Sequence, residues 1–204
     1  TIRVPLVGLF NVYNVLAAVT LTRAMGIDIK TIERALRSLP PIKGRVEHFE
    51  SPREASKHIT AVVDYAHTPD SLRQFYEAFP NVYKIGILGN TGGGRDTWKR
   101  PEMGTIAAHY CDRIILTNED PYDEDPRVIV EAMAKGIEDK AKLDIIMDRR
   151  LAIHTAIEEC PDGGYVLISG KGTDPYIMGP HGSREKWSDA EVVKEELAAL
   201  TASE

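Results

Sequence analysis

The chain has 204 residues, a formal net charge of −6, 43% hydrophobic and 27% charged residues, the balance of a soluble globular protein long enough to bury a core. No basic block offsets the acidic excess, which argues against nonspecific nucleic-acid binding, and no apolar run approaches the roughly 20 residues that a membrane-spanning helix needs. The two cysteines, Cys111 and Cys160, lack CxxC spacing, and the six histidines show no zinc-ligand spacing. Free thiols, no metal site and a cytoplasmic location are therefore expected.

The first apolar segment, with Val12, Leu16, Val19 and Met25, predicts a helix that Gly26 closes. A second helix is expected from Asp28 to Ser38, ended by Pro40-Pro41. Two such helices cannot bury their faces alone and read as the tail of a neighbouring domain. The alternation Arg45-Val46-Glu47-His48-Phe49-Glu50 then predicts a strand. From Ile59 onward, apolar runs at Ile59–Val63, Tyr83–Leu88, Arg113–Leu116, Leu143–Met147 and Tyr165–Ser169 alternate with helical stretches near 71–79, 101–110, 126–140, 149–159 and 190–199. That alternation predicts crossover helices and a Rossmann-like, mainly parallel sheet flanked by helices, with a boundary between residues 1–42 and 43–204.

Each run ends in polar or glycine-rich residues, and open α/β sheets bind ligands outside the carboxyl ends of their strands. Gly89 to Pro101 holds four glycines, then Arg95-Asp96 and Lys99-Arg100 ahead of a helix. Glycines let backbone amides approach an anion, and arginine offers a planar fork to a carboxylate or phosphate. A flexible solvated loop is the competing account. No G-x-x-x-x-G-K-[ST] string occurs, so this is not a P-loop. Asp64 and Asp70, around His67, either cap the next turn or serve a ligand. The acids from Glu119 to Asp125 form either a solvated turn or a site for a cation or amine.

Together the strings Gly44-Arg45-Val46-Glu47, Asp64-Tyr65-Ala66-His67-Thr68-Pro69-Asp70, Gly92-Gly93-Gly94-Arg95-Asp96 with Lys99-Arg100-Pro101, Asp148-Arg149-Arg150 and Gly170-Lys171-Gly172 resemble the C-terminal part of the Mur ligases. The similarity is to the branch that adds the third amino acid to UDP-N-acetylmuramoyl-L-alanyl-D-glutamate in peptidoglycan synthesis. The resemblance implies that residues 1–42 end the family's central ATPase domain and that 43–204 form its C-terminal domain. It implies ATP with Mg2+ as cofactor, the magnesium ligands lying in the central domain. It places Arg45, Asp64, Tyr65 and His67 on the nucleotide side, and Arg95, Glu119, Asp120, Tyr122, Gly170 and Asp174 around the incoming amino acid. The expected partners are UDP-N-acetylmuramoyl-dipeptide, an amino acid and the enzyme's other domains.

The sequence departs from the family at Gly94, usually aspartate, at Thr173-Asp174, usually His-Glu, and at Glu119-Asp120-Pro121-Tyr122, where diaminopimelate users carry Asp-Asn-Pro-Arg. Tyr122 cannot pair a distal carboxylate as that arginine does, so L-lysine is expected in preference to meso-diaminopimelate. Without P-loop or UDP-sugar domain, the chain reads as a fragment with no ligase activity alone. A stand-alone nucleotide- or amino-acid-binding module and a folylpolyglutamate-type ligase remain as alternatives.

Overall fold

The five apolar runs pair side by side and parallel, as their lack of alternation requires of strands buried on both faces. In the computed structural model, which describes residues 2–94 and 96–201, they form β2 (Thr60–Val63), β3 (Lys84–Leu88), β4 (Arg113–Leu116), β5 (Leu143–Ile145) and β6 (Tyr165–Ile168). The alternating segment supplies β1 (Glu47–Glu50), an antiparallel edge strand with Glu47 opposite Val63. The spatial order is β1-β2-β6-β3-β4-β5. The chain thus runs outward from β2 through β3, β4 and β5, then returns to insert β6 between β2 and β3. That reversal sets the carboxyl ends of β2, β6, β3 and β4 around one crevice.

Helices α3 (Pro69–Glu77), α4 (Lys99–Tyr110), α5 (Pro126–Ala134), α6 (Arg149–Glu159) and α7 (Asp189–Ala199) complete this architecture. Four of these five start at side chains that satisfy otherwise orphaned amides: Thr68 for α3, Asp125 for α5, Asp148 for α6 and Ser188 for α7. On one sheet face Ala61, Val63, Ile85, Ile87, Val166 and Ile168 pack with Ile153 and Ile157 of α6 and Val193 and Leu197 of α7. Because strand side chains alternate, Val62, Ile114, Leu116 and Leu167 face the other way, and α3, α4 and α5 lie side by side.

Two features depart from the sequence reading. The expected helix over 126–140 stops at Ala134. Gly136 lowers helix propensity there, and a Cβ on it would stand 1.8 Å from the Pro101 carbonyl oxygen, so the backbone lies directly on α4. A hairpin of β7 (Tyr176–Met178) and β8 (Arg184–Lys186) forms a separate two-stranded sheet. Its three-residue strands are too short to leave a periodicity.

The chain divides into two compact units, Thr1–Ile42 and Lys43–Glu204, and the sheet belongs to the second. The first holds α1 (Leu9–Ala24) and α2 (Ile29–Arg37). Asp28 caps α2 through the amides of Lys30 and Thr31, and Gly26 turns the chain between the helices at φ +85°. Leu9, Val12 and Leu16 of α1 are 70%, 59% and 60% exposed, so that helix carries an uncovered apolar face.

Candidate functional site

A cleft of about 310 Å3 opens at the carboxyl edge of the sheet, within the size range of small-molecule sites. Four loops build it. Tyr65 and His67 come from the loop after β2, and Thr91, Gly92 and Asp96 from the loop after β3, followed by Lys99 at the start of α4. The loop after β4 gives Glu119, Asp120 and Tyr122, and the loop after β6 gives Gly170 and Asp174.

Tyr65 and His67, expected on the nucleotide side, and Glu119, Asp120, Tyr122, Gly170 and Asp174, expected around the amino acid, thus line one cleft. Arg45 and Asp64 are not among the lining residues, and Arg95 lies outside the described residues. Asp64 is buried, and its two carboxylate oxygens accept the amides of Val46 and Ala66, each at 2.8 Å. It ties the start of β1 to the end of β2, where Val46 holds a left-handed φ of 51°. Burial pushes its carboxyl above the ordinary value, against the pull of those two amides. The Arg45 guanidinium lies 4.9 Å from the Tyr65 ring centroid, a cation–π distance. The His67 ring meets Tyr65 edge-on at 4.8 Å.

Glu119 sits at the cleft floor with 3% exposure. Its Oε1 accepts a hydrogen bond from the Thr91 hydroxyl at 3.1 Å, while its buried Oε2 has no partner among the described residues. Burial raises its carboxyl above the usual range, Arg149 opposes that rise, and Asp120 adds to it. Gly170 is required beside it, because its φ of +105° favours glycine and a Cβ would stand 2.2 Å from Glu119 Oε2.

Asp120 has a different fate. Both of its oxygens take Lys171 Nζ at 2.8 Å, and Oδ1 also accepts the Met178 amide. Lys171 is 1% exposed, so the lysine of the Gly-Lys-Gly string points inward at a carboxylate. Tyr122, at φ 52°, donates its amide to the Met178 carbonyl, which docks the β7–β8 hairpin on this loop.

The sequence reading marked the glycine-rich segment but did not single out Thr91, Gly92, Asp96 or Lys99 as cleft residues. Their positions depend on how the loop after β3 folds against the loop after β4. Gly92 donates its amide to the Asp120 carbonyl at 2.8 Å, and a Cβ there would stand 2.0 Å from the Pro121 oxygen. Only the Gly92-Gly93-Gly94 run itself signalled such an approach. Under the floor, Arg149 is fully buried and donates to Asp189, to the Asn118 carbonyl and to the Ser169 carbonyl. The cleft therefore brings Glu119, with one unpartnered oxygen, together with Asp96, Asp174 and Lys99, while Asp120 is already paired with Lys171.

The family model described as "Mur ligase, glutamate ligase domain" matches residues 44–172. The chain belongs to the Mur ligase family. It is 41% identical over 196 residues to the UDP-N-acetylmuramoyl-L-alanyl-D-glutamate–2,6-diaminopimelate ligase of Chlorobaculum tepidum, covering 94% of this chain and 38% of that protein. The ligase of the same name from Aquifex aeolicus is 40% identical over 195 residues, covering 94% and 39%. A solved structure of a ligase with this name superposes with a TM-score of 0.69 at 32% identity, covering 96% of this chain and 40% of that one. Folylpolyglutamate synthase of Thermotoga maritima, with a TM-score of 0.60 at 18% identity over 83% of this chain and 37% of its own, shares the fold. The chain spans about two-fifths of the length of these Mur ligase relatives.

Proposed function

We propose that this Mur ligase chain supplies the amino-acid pocket and part of the nucleotide side of an ATP-dependent enzyme that adds the third residue to UDP-N-acetylmuramoyl-L-alanyl-D-glutamate. The observation that carries the reading is the buried, unpartnered Oε2 of Glu119, a residue that lines a cleft at the sheet's switch point. A buried carboxylate oxygen left without a donor is costly, and the ammonium of an incoming amino acid would supply one. ATP activates the acceptor carboxylate by phosphorylation, and the residues of this chain bind and orient the amine that attacks it.

For the nucleotide, Arg45, Tyr65 and His67 form a charged and aromatic surface beside the cleft, suited to phosphate and to ring stacking. Asp64 is assigned to hold that surface in place, with ribose contact left to its remaining lone pairs. No cluster of three or more His, Cys, Asp or Glu among the described residues could hold a metal. The magnesium that phosphoryl transfer requires is assigned, from the family resemblance, to a central domain, of which residues 1–42 would be the end. ATP and a UDP-linked substrate would place the enzyme in the cytoplasm.

The amino acid is assigned to the diamino class. The relatives named above carry 2,6-diaminopimelate in their names, and those names lend no support to the expected preference for L-lysine. One local observation favours lysine as a second reading. Tyr122 lines the cleft among Glu119, Asp120 and Asp174, and Lys171 is already held by Asp120. A second carboxylate would have Lys99 to meet there. ADP release by the intact gene product, with ATP, the UDP-muramoyl dipeptide and each amino acid in turn, tests both levels. Turnover with neither amino acid would defeat the reading. A higher kcat/KM for diaminopimelate would remove the lysine reading.

A further inference from the structure

Arg100 does not line the cleft, yet it is 2% exposed and every nitrogen of its guanidinium is engaged. Two nitrogens meet the two oxygens of Glu124 at 2.6 and 2.8 Å. Nε reaches the Asn90 side-chain oxygen at 3.3 Å, and a fourth contact runs to the Thr91 carbonyl at 3.4 Å. Glu124 in turn accepts the Gly94 amide at 3.3 Å. The pair therefore grips the glycine-rich loop near its start, at Asn90 and Thr91, and again at Gly94. It anchors both points to the loop after β4, where the Glu124 amide bonds the Pro121 carbonyl. A bidentate arginine–carboxylate pair is strong and directional. Apolar residues of similar volume would serve packing as well or better, so the ion pair is explained by geometry that packing alone would not fix.

We propose that Arg100 and Glu124 are a positioning pair that sets the amino-acid affinity of the cleft by holding the loop after β3 in its binding shape before the ligand arrives. A run of three glycines loses more backbone freedom on ordering than any other sequence. Fixing it in the free protein removes that cost from binding. The link to the ligand is short, since Thr91 is the residue whose hydroxyl orients Glu119. This inference rests on the reading of the cleft as the amino-acid pocket.

The test uses the intact gene product with Glu124→Gln, which keeps shape and removes charge, and Arg100→Lys, which keeps charge and removes the fork. Each is expected to raise the KM for the amino acid about ten-fold, with the KM for ATP and kcat at saturating amino acid within about two-fold. The double variant should be no worse than the worse single one, because both break the same link. Amide exchange at 90–94 should accelerate about ten-fold in Glu124→Gln. An unchanged amino-acid KM, an equal rise for ATP, or unchanged exchange would each overturn the pair's role. Wild-type enzyme with no amino-acid-dependent turnover would instead overturn the functional reading on which the inference rests.

Discussion

Glu119 concentrates the conflict between stability and function in one side chain. Its carboxyl is raised by burial, so the folded state holds the proton more tightly than the unfolded one. The stability tied to that proton is present below the unfolded value of about 4.5 and is lost as pH rises through the folded value. Glu119→Gln should therefore stabilise the fold at neutral pH by on the order of 1 kcal/mol, seen as a higher Tm, with the gain vanishing below about pH 4. The same variant should weaken amino-acid binding at least ten-fold. Thermal melts across pH check the first effect and amino-acid KM the second; a neutral-pH Tm that falls would contradict the reading of Oε2 as unsatisfied. Gly170→Ala tests the opposite wall. It combines a strained backbone, roughly 1 kcal/mol or more, with a collision at the Glu119 carboxylate, and should lower both stability and amino-acid affinity. Melts matching wild type would show that the loop shifts freely.

At the scale of elements, Arg149 joins segments that the sheet alone keeps apart. It sits in the first turn of α6, bonds Asp189 of α7 through two nitrogens at 2.8 Å, and donates to the carbonyls just before Glu119 and Gly170. Trp187 donates its indole N–H to the same Asp189. Arg149→Met leaves a buried, uncompensated aspartate and should cost about 3–5 kcal/mol in urea unfolding. Arg149→Met with Asp189→Leu should recover part of that loss, because the aspartate is removed with its partner while Glu119 still loses the opposing charge of Arg149; equal destabilisation of single and double variants would show that the remaining contacts of Arg149 dominate. The sequence made the strands and most helices legible, since runs such as Ile59–Val63 and caps such as Asp148 act through neighbours in the chain. It marked Asp148-Arg149-Arg150 as a motif without revealing that Arg149 turns inward, 40 residues from Asp189. Lys171, Arg100 and Glu124 were hidden for the same reason, because their partners are set by loop packing. Acid count alone made the loop after β4 look more negative than it is, as Asp120 is neutralised by Lys171.

Over the whole molecule, the strand order decides what can meet. Inserting β6 between β2 and β3 brings the Tyr65 and His67 loop beside Gly170, and places both across from the loops of β3 and β4. One edge of the cleft thus carries Tyr65 and His67, proposed with Arg45 beside them for the nucleotide, and the floor carries Glu119, proposed for the amine. The most direct measurement is a crystal structure of the intact gene product with ADP and diaminopimelate bound. The account predicts an ammonium group of the amino acid about 3 Å from Glu119 Oε2, within the cleft bounded by Thr91, Gly92 and Gly170. An amino acid bound elsewhere, or a carboxylate group against Glu119, would contradict it.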